Sequence, residues 1–89
     1  MSGEKPSLLE FPCDFPIKLF GLNQAGLETL ILAIVRSHVP DITEDALSSR
    51  LSMGGKYTAV TITVCAQSQS QLDAIYQDLT ARVEIIMAL

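Results

Sequence analysis

The run KYTAVTITVCA, residues 56 to 66, alternates with period two along most of its length. Val60, Ile62 and Val64 fall on one side, and Ala59, Thr61, Thr63 and Cys65 on the other. Successive side chains of a strand point to opposite faces. The pattern therefore specifies a half-buried strand, with one face on a core and the other open. Gly54-Gly55, just before it, is a hairpin signal, because glycine takes positive φ without steric cost. A fold built on this strand needs a sheet covered on one side and something apolar to cover it.

Two segments supply the cover. In GLNQAGLETLILAIVRSHVP, Leu27, Leu30, Ile31, Ile34, Val35 and His38 recur at helical spacing, while Glu28, Arg36 and Ser37 can face water. Asn23 is a good N-cap for that helix, and Pro40 stops it. In QSQSQLDAIYQDLTARV the stripe is Leu72, Ile75, Tyr76 and Leu79. Its start can be a capping box, from Ser68 with Gln71 or Ser70 with Asp73.

The remaining strands are shorter. Ile17 to Gly21 forms one, with Ile17 and Leu19 directed one way and Lys18 and Phe20 the other. Ahead of it, LLEFPCDFP cannot be helical, because each proline fixes its own φ and keeps the preceding Phe11 and Phe15 extended. Leu47, Leu51 and Met53 alternate against Ser48, Arg50 and Ser52, although Ser49 interrupts the apolar series. PDITED reads as a polar loop, and VEIIMAL as a last strand.

The order is β-α-β-β-α-β, the split pattern of an α+β ferredoxin-like sandwich. It implies a four-stranded antiparallel sheet with two helices on one face and right-handed crossovers. Residues 1–7 are expected to be a flexible tail and 8–89 a single domain. Ile17, Leu19, Leu51, Val60, Ile62, Val64 and Ile85 should meet the helices. Lys18, Phe20, Arg50, Tyr57, Ala59, Thr61 and Thr63 should share the open face.

Composition narrows the function. A net charge of −4 with six scattered basic residues argues against a chain that holds nucleic acid mainly through phosphates. Two cysteines, Cys13 and Cys65, with no paired Cys/His spacing, leave no metal site to expect. The polar start MSGEKPS has no apolar signal region, and LETLILAIV is too short to span a bilayer, so a cytoplasmic chain without a membrane role is expected.

EFPCDFPIKLFG near the start, SxGGKYTAVTITV in the middle and VEIIMAL at the end resemble the YbeD-like family of small bacterial proteins of uncharacterised function. The resemblance covers about residues 8–89. It implies a ferredoxin-like fold similar to the regulatory ACT domain, and it implies no catalytic residues. ACT domains usually carry an acidic residue and then proline-glycine at the first strand–helix junction. Here the matching stretch is Asn23-Gln24-Ala25-Gly26: Gly26 resembles the ACT glycine, Asn23 stands where the acid would be, and the proline is missing.

Catalytic chemistry finds little support in the residues. Cys13 sits between Pro12 and Asp14 with no cation in sequence to stabilise a thiolate, and reads as a loop residue. Cys65 reads as a small hydrophobe at a strand end. His38 reads as a capping or partly buried residue near a helix C-terminus. No catalytic residue and no cofactor is expected.

The expected function is a small non-enzymatic regulatory or protein-interaction module. Its partner would be a second copy, as a homodimer, or a larger protein. An ACT-like small ligand such as an amino acid would bind near Asn23 and Gly26, with Lys18, Phe20, Arg50, Tyr57 and Thr61 as the interaction surface. The alternative is single-stranded RNA binding, with bases stacked on Phe20 and Tyr57 of the open sheet. The competing structural expectation is that the LLEFPCDF lead-in, or a second subunit, covers those two aromatics.

Overall fold

The computed structural model of the chain describes residues 10–52 and 54–89. The tail expected at 1–7, and Met53, lie outside the described residues. The elements run β1 (Cys13–Leu22), α1 (Leu27–Arg36), a 3-10 turn (Glu44–Ala46), β2 (Leu47–Leu51), β3 (Tyr57–Ala66), α2 (Gln69–Thr80) and β4 (Ile85–Ala88). The strands form one sheet in the order β2-β3-β1-β4, and every pairing is antiparallel. This is the expected β-α-β-β-α-β sandwich. The 3-10 turn overlaps the end of the PDITED segment expected as a plain loop. No helix among the described residues is long and apolar enough to cross a membrane.

Sheet register fixes which residues meet the helices. Ile17 opposes Ile62, Leu19 opposes Val60, and Phe15 opposes Val64. Ile17, Leu19, Val60, Ile62, Val64 and Ile85 are buried with Leu27, Ile31 and Val35 of α1 and Leu72, Ile75 and Leu79 of α2. Burial of these apolar faces is the main favourable term, worth roughly 1.5–3 kcal/mol for each fully buried aliphatic side chain.

Four expectations need correction. First, β1 begins at Cys13 and continues through Pro16. Proline normally interrupts a ladder, but β4 pairs only with Leu19, Phe20 and Gly21, so the β4 side of Pro16 has no strand to lose a bond with. Second, Cys13 is accordingly a half-buried strand residue and not a loop residue. Third, Phe11 and Phe15 pack against the core on the helix side, so these two described residues of the lead-in do not cover the open face.

Fourth, Leu51 lies on the helix-side face by register, opposite Thr58, yet is 60% exposed. Alternation gave its face correctly. What fails is the cover, because β2 is an edge strand and Leu51 is its last residue.

The helix ends also depart from the simplest reading. Helix α1 stops at Arg36, so His38 lies just beyond it, where its ring Nε2 is 2.5 Å from Asp78 Oδ2 of α2. At α2, Ser68 Oγ accepts from the Gln71 N–H (3.1 Å), as a capping box requires. The reciprocal arm differs by one residue: Gln71 Oε1 accepts from the Gln67 N–H (2.7 Å). At the far end of the chain the Tyr76 hydroxyl donates to the main-chain oxygen of Leu89 (2.5 Å), and partial burial pushes this phenol above its ordinary pKa. The Leu89 N–H in turn donates to Lys18 O (2.6 Å), which holds the last strand against β1.

Candidate functional site

The face of the sheet away from the helices carries the expected surface. Across the strands, Arg50, Ala59 and Phe20 stand side by side, as do Ser48, Thr61 and Lys18. Leu22 opposes Tyr57 at the end of the β1–β3 ladder. Lys18, Phe20, Arg50, Tyr57 and Thr61 are therefore brought together on one face. Phe20 and Tyr57 sit on adjacent strands, one diagonal step apart, within reach of aromatic side chains.

Three residues of this surface were not anticipated from the sequence: Leu22, Met87 and Leu89. Leu22 follows from extending the alternation of β1 by two positions. Met87 does not follow from alternation. The β1–β4 register shifts between Phe20 and Gly21, so that Gly21 opposes Ile85 while Phe20 opposes Met87. Ile86 is the extra residue. It leaves Ile85 buried on the helix side and moves Met87 to the open side beside Phe20, where simple alternation would have put Met87 with Ile85.

Phe20 is 36% exposed, Tyr57 38% and Met87 49%, and Leu22 matches Phe20. Ala59, between Phe20 and Arg50, is small enough to leave a hollow. A cavity of about 410 Å³ opens there, with Lys18, Phe20, Arg50, Thr61 and Leu89 on its walls. Sites for small molecules usually measure about 300–1,000 Å³. The hollow is shallow enough to suit a projecting side chain of a partner as well.

Charge on this face runs against that of the whole chain. Among the described residues the ion pairs are His38 with Asp78 and Arg82 with Glu84, so Lys18 and Arg50 have no acidic partner there. The Glu84 carboxyl, held by its own backbone amide and then by Arg82, titrates below the usual carboxylate range. An apolar centre flanked by two cations is the result, on a chain of net charge −4.

The junction expected to hold a ligand is built differently. Asn23 does not cap α1. The N-cap is Gly26, at φ +86°, and no side chain caps the helix. The Asn23 side chain instead donates from Nδ2 to Gly55 O (2.7 Å) and accepts from Thr58 Oγ1 (3.3 Å), while its N–H donates to Lys56 O (3.1 Å). It ties the end of β1 to the β2–β3 hairpin. Replacing it with alanine should cost roughly 1–2 kcal/mol, about one hydrogen bond or two. Hydrogen exchange should then quicken at residues 54–57 and stay unchanged in α1. Faster exchange in the first turn of α1 alone would show a capping role instead.

A hollow of about 280 Å³ does lie at this junction, lined by Asn23, Gln24, Ala25, Gly26, Thr29 and Thr58 among others. Glu28 also lines it, and its carboxylate accepts from Ser49 Oγ. A negative charge at that point opposes an anionic ligand. Cys13 faces the helices and Cys65 the open side, where Gln67 Nε2 lies 3.5 Å from its sulfur. Among the described residues no three His, Cys, Asp or Glu side chains are grouped to hold a metal.

With this geometry established, comparison with known proteins is informative. A family model described as "Protein of unknown function (DUF493)" matches residues 6–89. A UPF0250 protein of Chromobacterium violaceum is 45% identical over 89 residues, covering all of both chains. Another, from Nitrosomonas europaea, is 42% identical over 93% of this chain and 95% of its own. Among solved structures, the solution structure of protein HP0495 from H. pylori superposes with a TM-score of 0.77 over 97% of this chain and 89% of its own. At 13% identity that likeness speaks to the fold.

Proposed function

The chain belongs to the DUF493 family, and on that premise we propose that it is a small non-enzymatic regulatory or protein-interaction module of the cytoplasm. It works by association, through the open face of its sheet. The observation that carries this reading is the surface formed by Phe20, Leu22, Tyr57 and Met87, left uncovered by the described residues and flanked by Lys18 and Arg50, which have no acidic partner among those residues. Exposed apolar residues scattered singly need no explanation, whereas a contiguous patch rimmed by polar groups marks an interaction site. Aromatic anchors and arginine are the residue types that dominate binding energy at interfaces. The matching partner surface presents an apolar knob with carboxylates beside it.

The test is capture from the organism's own lysate with the wild-type chain and with Phe20→Ala/Tyr57→Ala. Truncating two central anchors should weaken a partner's binding by about 30-fold or more, since one true hot spot is worth about 2 kcal/mol. A partner captured equally by both proteins would contradict this site.

The RNA reading keeps one observation in its favour, the diagonal placement of Phe20 and Tyr57 beside two cations. A low-salt gel shift that Phe20→Ala/Tyr57→Ala abolishes would support it, and unchanged mobility would remove it. An ACT-like small ligand at Asn23 and Gly26 predicts a thermal shift with one of the amino acids. Given Glu28 at that hollow, the expected result is no shift with anionic ones.

A further inference from the structure

We infer that the outer edge of β2 is the contact between two copies of this chain, paired antiparallel about a two-fold axis at Ser49. This edge adjoins the open face and shares Arg50 with it, and the inference does not depend on what Phe20 and Tyr57 bind. Among the described residues no strand pairs with that edge. The bond from the Ser52 N–H to Tyr57 O directs the backbone of Ser52 toward β3, and alternation then directs Arg50 and Ser48 the same way. Leu47, Ser49 and Leu51 therefore turn their N–H and C=O groups outward, and Ser49 is the middle one.

The strand LSSRL matches itself when reversed about that residue. Ser49 then meets Ser49 of the partner subunit. Leu47 meets Leu51 of the partner subunit on the helix side, and Ser48 meets Arg50 of the partner subunit on the open side. Like chemistry shares each face, and no like charges stand directly opposite. Other registers do worse. Moving the axis to Arg50 places two guanidinium groups opposite each other, and moving it to Ser48 leaves Leu51 unpaired.

The same register accounts for the exposure of Leu51. Beside Leu47, between α1 and β2, runs a groove of about 410 Å³ lined by Leu32, Ala33, Leu47 and Ser49, with Glu28, Arg36 and Glu44 at its rim. Because Leu47 and Leu51 become cross-strand neighbours, each copy's 60%-exposed Leu51 enters the other's groove. Two-fold symmetry makes this contact twice, as an isologous interface requires. The product is one continuous sheet across both copies, with the helices of both on one side.

Light scattering at submillimolar concentration should give the mass of a dimer. Ser49→Pro removes an outward N–H and no bond of the β2–β3 ladder, so the variant should keep its circular-dichroism spectrum and halve its mass. Leu51→Asp should do the same by a different route. Phe20→Ala/Tyr57→Ala should remain dimeric, which separates this contact from the open face. In a chain with Cys13→Ser and Cys65→Ser, mild oxidation should cross-link Ser49→Cys to itself and should leave Ser48→Cys uncross-linked. A monomeric wild type would overturn the inference. So would a dimer that survives both Ser49→Pro and Leu51→Asp, or one cross-linked through Ser48→Cys in preference to Ser49→Cys.

Discussion

Replacing Ile62 with alanine should remove about 2–5 kcal/mol of stability, the range for truncating a buried aliphatic side chain in a core that cannot fully collapse. Ile62 is fully buried at the middle of the sheet, opposite Ile17 on β1 and Leu47 on β2. At about 0.05–0.15 kcal/mol per residue, an 89-residue chain holds roughly 4–13 kcal/mol in all, so one such cavity consumes a large share. Urea unfolding followed by circular dichroism should show a much lower midpoint with the slope unchanged. Val83→Ala, at an 85%-exposed site, should stay within about 0.5 kcal/mol of wild type. Equal effects at the two positions would mean that β3 is not the centre of the core.

The second large effect is expected at Gly21, for a steric reason. A Cβ built there would stand 2.9 Å from Leu27 Cδ1 and 3.0 Å from the Glu84 carbonyl oxygen. The leucine can shift, but the carbonyl is backbone and already accepts from the Leu22 N–H at 3.0 Å. Alanine at this position should cost about 1–3 kcal/mol, as overpacking does, and valine the upper end or beyond. The damage should be directional. The β1–β4 contact should loosen first, with amide exchange quickening at Leu22 and Ile85 before β3. Met87 would leave the side of Phe20 with it, so Gly21→Val should also weaken whatever binds the open face. A Gly21→Ala chain as stable as wild type would show that β4 yields without cost at this point.

Much of the architecture was legible because period-two and period-3.6 patterns alternate cleanly in this chain. The face assignments of Ile17, Leu19, Val60, Ile62, Val64 and Ile85 follow from that alone. What escaped depends on neighbours distant in sequence. Asn23 looks like a helix cap locally, yet Gly55 and Thr58 from the hairpin claim its side chain. Pro16 looks like the end of a lead-in, yet β4 is too short to need its missing N–H. Leu51 has the right parity for the core and no helix above it.

The candidate site shows the same division. Lys18, Phe20, Arg50, Tyr57 and Thr61 could be placed on one face by parity. Met87 could not, because the extra residue Ile86 reverses the parity of β4 within a four-residue strand.

Hydroxyl-radical footprinting tests the central claim most directly, because Phe20, Tyr57 and Met87 are reactive side chains lying together on the surface in question. The purified chain should be labelled at all three. In the organism's own lysate, labelling at Phe20, Tyr57 and Met87 should fall together, while the exposed Val83 on the loop before β4 keeps its level. Undiminished labelling of the three residues in the lysate would contradict the account.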